Sequence, residues 1–260
     1  MKITMLGTGT SQGIPMIGCP CAVCQSADPR DKRLRPAMHL EQNGISIVID
    51  IGPDFRQQML RAGIVDIDAI LLTHEHNDHI AGLDDVRPYN FLRNKNMPVF
   101  GLERVGKALS ERFPYIFNTV NKYPGAPCVD FHKIDKSQPF EVKGIQINPV
   151  EVMHGKLPIL GYRIADFAYL TDVHHIEEPE FAKLQNLDTL VLSSLHHRQH
   201  HSHLTLEEAL TLVEVIRPRK TYLMHMSHLM GLHAEVSKTL PENVFFGYDG
   251  LVLEVLPKIH

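Results

Sequence analysis

The sequence predicts an α/β fold in four layers, with two mixed sheets face to face and helices on both outer surfaces. Three observations predict it. The order of strands followed by helices runs along the chain twice, a rhythm that two helix-covered sheets satisfy. Histidine and aspartate stand repeatedly just after apolar runs, where strand ends would deliver them to one place. The chain has 260 residues, 43% hydrophobic and 22% charged; that is the makeup of an ordinary globule, long enough to bury a large core as one domain over 1–260.

In order, residues 2–6 alternate as a strand and run into Gly7-Thr8-Gly9-Thr10-Ser11-Gln12-Gly13. No helix pattern and no lysine follows these glycines, so a phosphate-cradling loop is not indicated. A turn that lets backbone approach a site is. Cys19-Pro20-Cys21-Ala22-Val23-Cys24 comes next. Ile45–Ile49 forms a strand that ends on Asp50, and residues 54–62 form a helix closed by Gly63. The apolar run 69–72 delivers Thr73-His74-Glu75-His76-Asn77-Asp78-His79. From Ile80 a helix begins and breaks at Pro88. Residues 84–126, with a helix near 102–112, form a substrate-side insertion.

Strands resume at 144–152, 158–165, 168–171 and 187–192, with His154 and Asp172 following two of them. A loop His196-His197-Arg198-Gln199-His200-His201-Ser202-His203 precedes Thr205, which caps a helix to about residue 216 with Glu208 at capping-box distance. Lys220–Met224 is a strand ending on His225, with His228 three residues on; a helix near 233–239 and a strand near 250–256 follow.

The formal net charge of −4 argues against an extensive nucleic-acid surface or anionic-membrane binding, but leaves room for a local basic pocket. No apolar run is long enough to span a bilayer and no signal core opens the chain. Three of the four cysteines lie within six residues. That spacing does not suit a disulfide framework, and the cytoplasm is the expected compartment.

The histidine loop carries the chemistry. In a turn, His74 and His76 can point one way while Asp78 and His79 point the other, each pair supplying part of the shell of one of two neighbouring cations. Imidazole and carboxylate suit zinc, manganese or iron. The three cysteines can wrap one tetrahedral zinc if a fourth ligand arrives from elsewhere. Cys128 stands alone and is expected to be a small apolar residue.

With His74, His76, Asp78, His79, His154, Asp172 and His225 each following an apolar run, the sequence resembles the metallo-β-lactamase superfamily. The resemblance implies the αββα sandwich of that family. It places one catalytic metal on His74, His76 and His154 and a second on Asp78, His79 and His225, with Asp172 bridging and Asp50 supporting the loop from behind. Gly7-Thr8-Gly9, Ser11-Gln12-Gly13-Ile14-Pro15, the three cysteines and Tyr248-Asp249-Gly250-Leu251 resemble the PhnP-like phosphoribosyl 1,2-cyclic phosphate phosphodiesterases. That branch implies a structural zinc on Cys19, Cys21, Cys24 and His228. It places a catalytic histidine in the 201–203 stretch, His201 matching better, with His200 and His203 still open. Ser193 departs from relatives, which often carry an acidic residue there.

The resemblance implies a phosphodiesterase acting on a small, cyclic or nucleotide-like phosphodiester, with hydroxide held between two metals about 3.5–4 Å apart and Asp78 and His201 as catalytic groups. Arg87, Tyr89 and His203 are the expected substrate contacts. Arg87 offers a planar fork for phosphate and Tyr89 a ring and hydroxyl for a sugar. A homodimer is compatible with this reading. The competing readings are a transfer-RNA-processing nuclease, which needs a basic arm not evident in the sequence, a β-lactamase or thioesterase, and a non-hydrolytic metal-binding relative from cofactor biosynthesis.

Overall fold

The computed structural model describes residues 1–118 and 122–255. Its strands are β1 (Lys2–Gly7), β2 (Ala37–Gln42), β3 (Ile45–Ile49), β4 (Ala69–Leu71), β5 (Met97–Gly101), β6 (Val129–Lys133), β7 (Phe140–Val142), β8 (Ile145–His154), β9 (Leu157–Ile164), β10 (Phe167–Leu170), β11 (Thr189–Ser193), β12 (Lys220–Met224), β13 (Val244–Phe246) and β14 (Val252–Glu254). They form two seven-stranded sheets, ordered β14-β1-β2-β3-β4-β5-β6 and β13-β12-β11-β10-β9-β8-β7. Each sheet is mixed. β3 to β6 run parallel in one and β10 to β13 in the other. The remaining strands pair antiparallel.

Alternation along the strands makes the layers, because successive side chains leave a strand on opposite faces. Ile47 and Ile49 meet Val191, Tyr162 and Tyr169 between the sheets, whereas Val48 and Ile70 turn outward. Under those outward residues pack Phe55 and Met59 of α2 (Phe55–Ala62) and Val105 and Leu109 of α5 (Glu103–Arg112). On the second sheet Leu190 and Leu192 face out onto Ala209 and Val213 of α7 (Leu206–Ile216). Each such fully buried aliphatic side chain contributes about 1.5–3 kcal/mol. Thr205 begins α7 with the expected capping box, its hydroxyl accepting from Glu208 N and its own N–H donating to the Glu208 carboxylate. The short helices are α1 (Ala22–Gln25), α3 (Asn77–Ile80), α4 (Arg87–Arg93), α6 (Pro114–Phe117) and α8 (His233–Val236).

Pro88 does not break a helix. It sits in the first turn of α4, where the missing N–H would have no partner, after a separate 3₁₀ turn at Leu83–Val86. The expected segment 84–126 includes residues 119–121, and the expected last strand 250–256 includes 256; these lie outside the described residues.

Candidate metal centre and thiolate site

The seven expected ligands converge at the ends of β4, β8, β10 and β12. Three backbone positions there, Asp50, Asp172 and His225, take left-handed conformations with φ of 63°, 55° and 57°. Non-glycine residues rarely adopt this region, so the surrounding structure must hold them in it. Gly52 serves the same end. A Cβ there would lie 2.0 Å from the Asp78 carbonyl oxygen, so only glycine lets the segment after β3 approach the metal loop.

Ligand atoms of His74, His76 and His154 lie within 4.8 Å of one another, and so do those of Asp78, His79, Asp172 and His225. Asp172 straddles both groups. Its Oδ1 is 3.2 Å from His225 Nε2 and 3.4 Å from His79 Nε2, while its Oδ2 is 3.9 Å from His74 Nε2 and 4.0 Å from His154 Nε2.

Outer contacts fix the ring faces. His79 Nδ1 donates to buried Asp50 at 2.7 Å, His154 Nδ1 to the Ser202 carbonyl at 2.9 Å, and His74 Nδ1 lies 3.0 Å from the Thr73 hydroxyl, which donates to Asp50. Each arrangement leaves Nε2 turned inward. His79 Nε2 and both ring nitrogens of His225 are buried with no hydrogen-bond partner. Such unpartnered ring nitrogens converging on carboxylates are what a pair of divalent cations would satisfy.

Burial opposes charge on His79, yet the carboxylates of Asp78, Asp50 and Asp172 raise its pKa well above the imidazole range. Burial would likewise raise Asp172, but His225 and His79 draw it well below the carboxylate range. The frame is thus polarised toward bound positive charge.

The thiolate site assembles as expected from Cys19, Cys21, Cys24 and His228. Cys19 and Cys21 sulfurs each lie 3.3 Å from His228 Nδ1. Backbone N–H groups of Met16 and Cys24 point at the Cys24 and Cys21 sulfurs. The Cys24 N–H, then His228, lower Cys21 to about 6, whereas burial pushes Cys24 up to about 11. Three thiolates and one imidazole at this spacing fit one tetrahedral zinc.

Other expected residues are placed differently. His201 is exposed, its ring 4.3 Å from His200. His203 is the histidine beside the ligands, its ring 4.6 Å from His154 and 5.0 Å from His225, with a buried, unpartnered Nδ1. It also groups with His154 and Asp172 within 4.8 Å. Burial, then His225, push its pKa down to about 2. Tyr89 is a core residue rather than a sugar contact: it packs on Phe55 and donates its hydroxyl to the Ile64 carbonyl at 3.0 Å. Arg87 pairs with Asp84 at 2.6 Å, which engages the fork meant for phosphate.

Ser193, the departure from the acidic pattern, accepts from the Val173 N–H at 2.9 Å and so anchors the backbone just past Asp172. The orienting roles of Thr73 and the Ser202 carbonyl were not read from the sequence. Thr73 sits beside the motif, but a backbone carbonyl leaves no sequence signal.

Two facing mixed sheets with this cluster at their strand ends define a hydrolase of the metallo-β-lactamase fold. The model of the beta-lactamase superfamily domain matches residues 46–226. A crystal structure of a new diphosphatase from the PhnP family superimposes with a TM-score of 0.90 at 41% identity, covering 97% of this chain and 96% of that one. The chain belongs to the beta-lactamase superfamily and, within it, to the PhnP family.

Zn(2+)-bound PqqB from Methylobacterium extorquens (TM-score 0.82, 17% identity, 98% of this chain and 100% of that one) shares the fold. So does human tRNase Z, short form (TM-score 0.70, 17% identity, 98% and 100%). An octanoyltransferase of Porphyromonas gingivalis is 41% identical over 253 residues, 96% of this chain; the chain spans about half, 51%, of that relative's length. Among the described residues no helix is long and apolar enough to cross a membrane.

Proposed function

We propose that the chain is a metal-dependent phosphodiesterase of small substrates, with a cyclic phosphodiester as the leading candidate. The observation that supports this reading is His203, an imidazole beyond the seven ligands that closes on His154 and Asp172. β-Lactam or thioester hydrolysis has no evident need of it. His74, His76 and His154 would hold one divalent ion and Asp78, His79 and His225 another, with Asp172 between them. Zinc, manganese and iron all suit these donors. Bound there, the ions supply charge neutralisation at phosphate oxygens and an activated water. Asp78, in the second group, would orient the attacking water. His203, in place of the exposed His201, would offer the N–H of its neutral ring as a hydrogen-bond donor to the charge that develops on the leaving oxygen. Cys19, Cys21, Cys24 and His228 would hold a structural zinc.

A second reading is hydrolysis of a diphosphate linkage, favoured by the 41%-identical diphosphatase. The test is product release by metal-loaded protein from bis-p-nitrophenyl phosphate, a β-lactam and a thioester, followed by nucleoside 2′,3′-cyclic phosphates and nucleoside diphosphates. Turnover of the phosphodiester alone is expected in the first set. Turnover of the β-lactam or thioester without it overturns the proposal. Diphosphate cleavage with inert cyclic phosphates selects the second reading.

A further inference from the structure

One ligand of the centre is held differently from its neighbours. His74, His79 and His154 each meet an outer group through Nδ1. His225 turns Nε2 to Asp172 at 3.2 Å, but its Nδ1 is buried with no hydrogen-bond partner among the described residues. Near-parallel rings of His203 and His79, at 5.0 and 6.1 Å, restrain its tilt. They do not fix where its Cα stands. His225 follows β12 in the left-handed region, so its direction depends on how the backbone on either side is held.

That backbone is clamped from two flanks. On one, Ser194 N donates to the Met224 carbonyl at 2.8 Å and Ser227 N to the Leu195 carbonyl at 3.0 Å, which continues the pairing of β11 with β12. On the other, Met226 N donates to the Thr8 carbonyl and Thr10 N to the Met226 carbonyl, both at 3.1 Å. This second flank lies past the end of β1, and Asp249 anchors it. Asp249 Oδ1 accepts from Thr8 N at 2.9 Å and from the Thr8 hydroxyl at 2.7 Å. Its Oδ2 accepts from Leu34 N at 2.8 Å and from Arg61 at 3.2 Å. Buried Arg33 donates to the same Thr8 hydroxyl at 2.8 Å and to the Gly247 carbonyl at 2.6 Å. The Asp249 side chain is only 3% exposed. Burying a carboxylate is costly unless its oxygens are bonded, and bonds to a charged acceptor are the strong ones. Thr8 and Asp249 also belong to Gly7-Thr8-Gly9 and Tyr248-Asp249-Gly250, two motifs to which the proposed reaction gives no role.

We propose that Asp249 is a positioning residue for the second catalytic metal: acting through Thr8 and the Met226 backbone, it aims His225. The inference concerns how the ion is held, not which ester is cleaved, so it stands apart from the phosphodiesterase reading. The competing account is that Asp249 only secures the end of the chain, where β14 pairs with β1.

The test uses full-length protein stripped of its exchangeable metal, with thiolate-bound zinc followed by elemental analysis. It is titrated with Co²⁺, read by visible absorption and by competition with a chelating dye. Wild type should bind two ions, and the step abolished in His225→Ala marks the second position. Thr8→Val removes the hydroxyl at nearly constant volume; Asp249→Asn removes the charge. Each should weaken the second step about tenfold or more, as loss of an outer support does, and leave the other step within about twofold. Thr8→Ser, which keeps the hydroxyl, should restore wild-type binding. Leu253→Ala is the structural control. It truncates a buried side chain of β14 and should lower the melting temperature with both steps intact.

A second step unchanged in Thr8→Val and Asp249→Asn overturns the proposal. So does equal weakening of both steps, or the same weakening in Leu253→Ala at a matched drop in melting temperature. A wild type that lacks a step removable by His225→Ala overturns it too. If Asp249→Asn does not fold, Thr8→Val against Thr8→Ser decides.

Discussion

The molecule carries two metal-type sites that share a single turn, 225–228, and they are built in opposite ways. Around the centre, five of the seven ligands are buried, and each histidine with an outer partner is aimed by a fixed group such as buried Asp50, just past β3, or the Ser202 carbonyl of the 196–203 loop. The thiolate site is a loop folded on itself, with Cys19, Cys21 and His228 only part-buried and α1 just four residues long. One site is shaped by the sandwich and can stay open to substrate. The other has little besides its ligands to shape it, and a closed soft-donor shell is the arrangement that contributes folding energy directly. The difference teaches that the same chain places one set of donors on a rigid scaffold and another where the donors themselves must supply the shape.

The sharpest way to probe the rigid half is His203→Ala. It should lower the rate on esters with poor leaving groups by about 10²–10³, the usual cost of removing one hydrogen-bond donor from a developing oxyanion, and cost much less on p-nitrophenyl esters, whose leaving group needs little help. Elemental analysis should find metal content unchanged. His201→Ala should stay near wild type on both; the reverse ranking would return the role to His201.

Next in size is Asp50→Asn. Losing the outer partner of a metal-ligating histidine typically costs about 10–100-fold in metal affinity or activity. Occupancy of the second catalytic position should fall while thiolate-bound zinc stays, because among the described residues the Asp50 carboxylate hydrogen-bonds Thr73 and His79, both at the catalytic centre. Zinc lost equally from both sites would erase the contrast drawn above.

Cys21→Ser attacks the other half. The two sites are mechanically joined: Thr10 N donates to the Met226 carbonyl, Met226 N to the Thr8 carbonyl, and Gly9 bridges to Met226, directly beside His225. Activity should drop about tenfold, at the lower bound for a lost outer contact, with lower melting temperature and reduced second-position metal. Full activity at full catalytic occupancy would mean the thiolate site only pins the N-terminal segment.

The smallest effect is expected from Thr205→Ala, which removes the α7 cap. It should cost about 1 kcal/mol of stability in a denaturant titration. It should also loosen the loop carrying His203, since His196 and Thr205 bridge across that loop's base. No shift in the midpoint would show that the bridge alone holds it.

Most of the centre was legible because its residues follow apolar runs, and a strand end fixes where the next side chain goes. Asp172 after β10 and His225 after β12 were found that way. The thiolate ligands were legible from spacing, with His228 supplied by the family resemblance. Residues in irregular or helical neighbourhoods were not. Tyr89 is near the motif in sequence, but the pitch of α4 turns it into the core beneath α2. The loop 196–203 offers five histidines and no period to choose among them. The cap at Thr205 was the usable clue: His203, two residues before it, is nearest to where regular structure resumes.

The pairing of β1 between β14 and β2 has a consequence for biosynthesis. Met1 meets Val255, Thr8 meets Asp249, and Cys19 meets His228 across 209 residues of chain. A ribosome adding about 5–20 residues per second will have exposed the cysteines and the histidine loop many seconds before His225 and His228 emerge. During that interval the nascent chain displays thiols and imidazoles that cannot yet close either site. Closure of either site is thereby deferred until the segment carrying His225 and His228 has emerged, and a product terminated before that segment would display ion-binding side chains without gaining a complete centre.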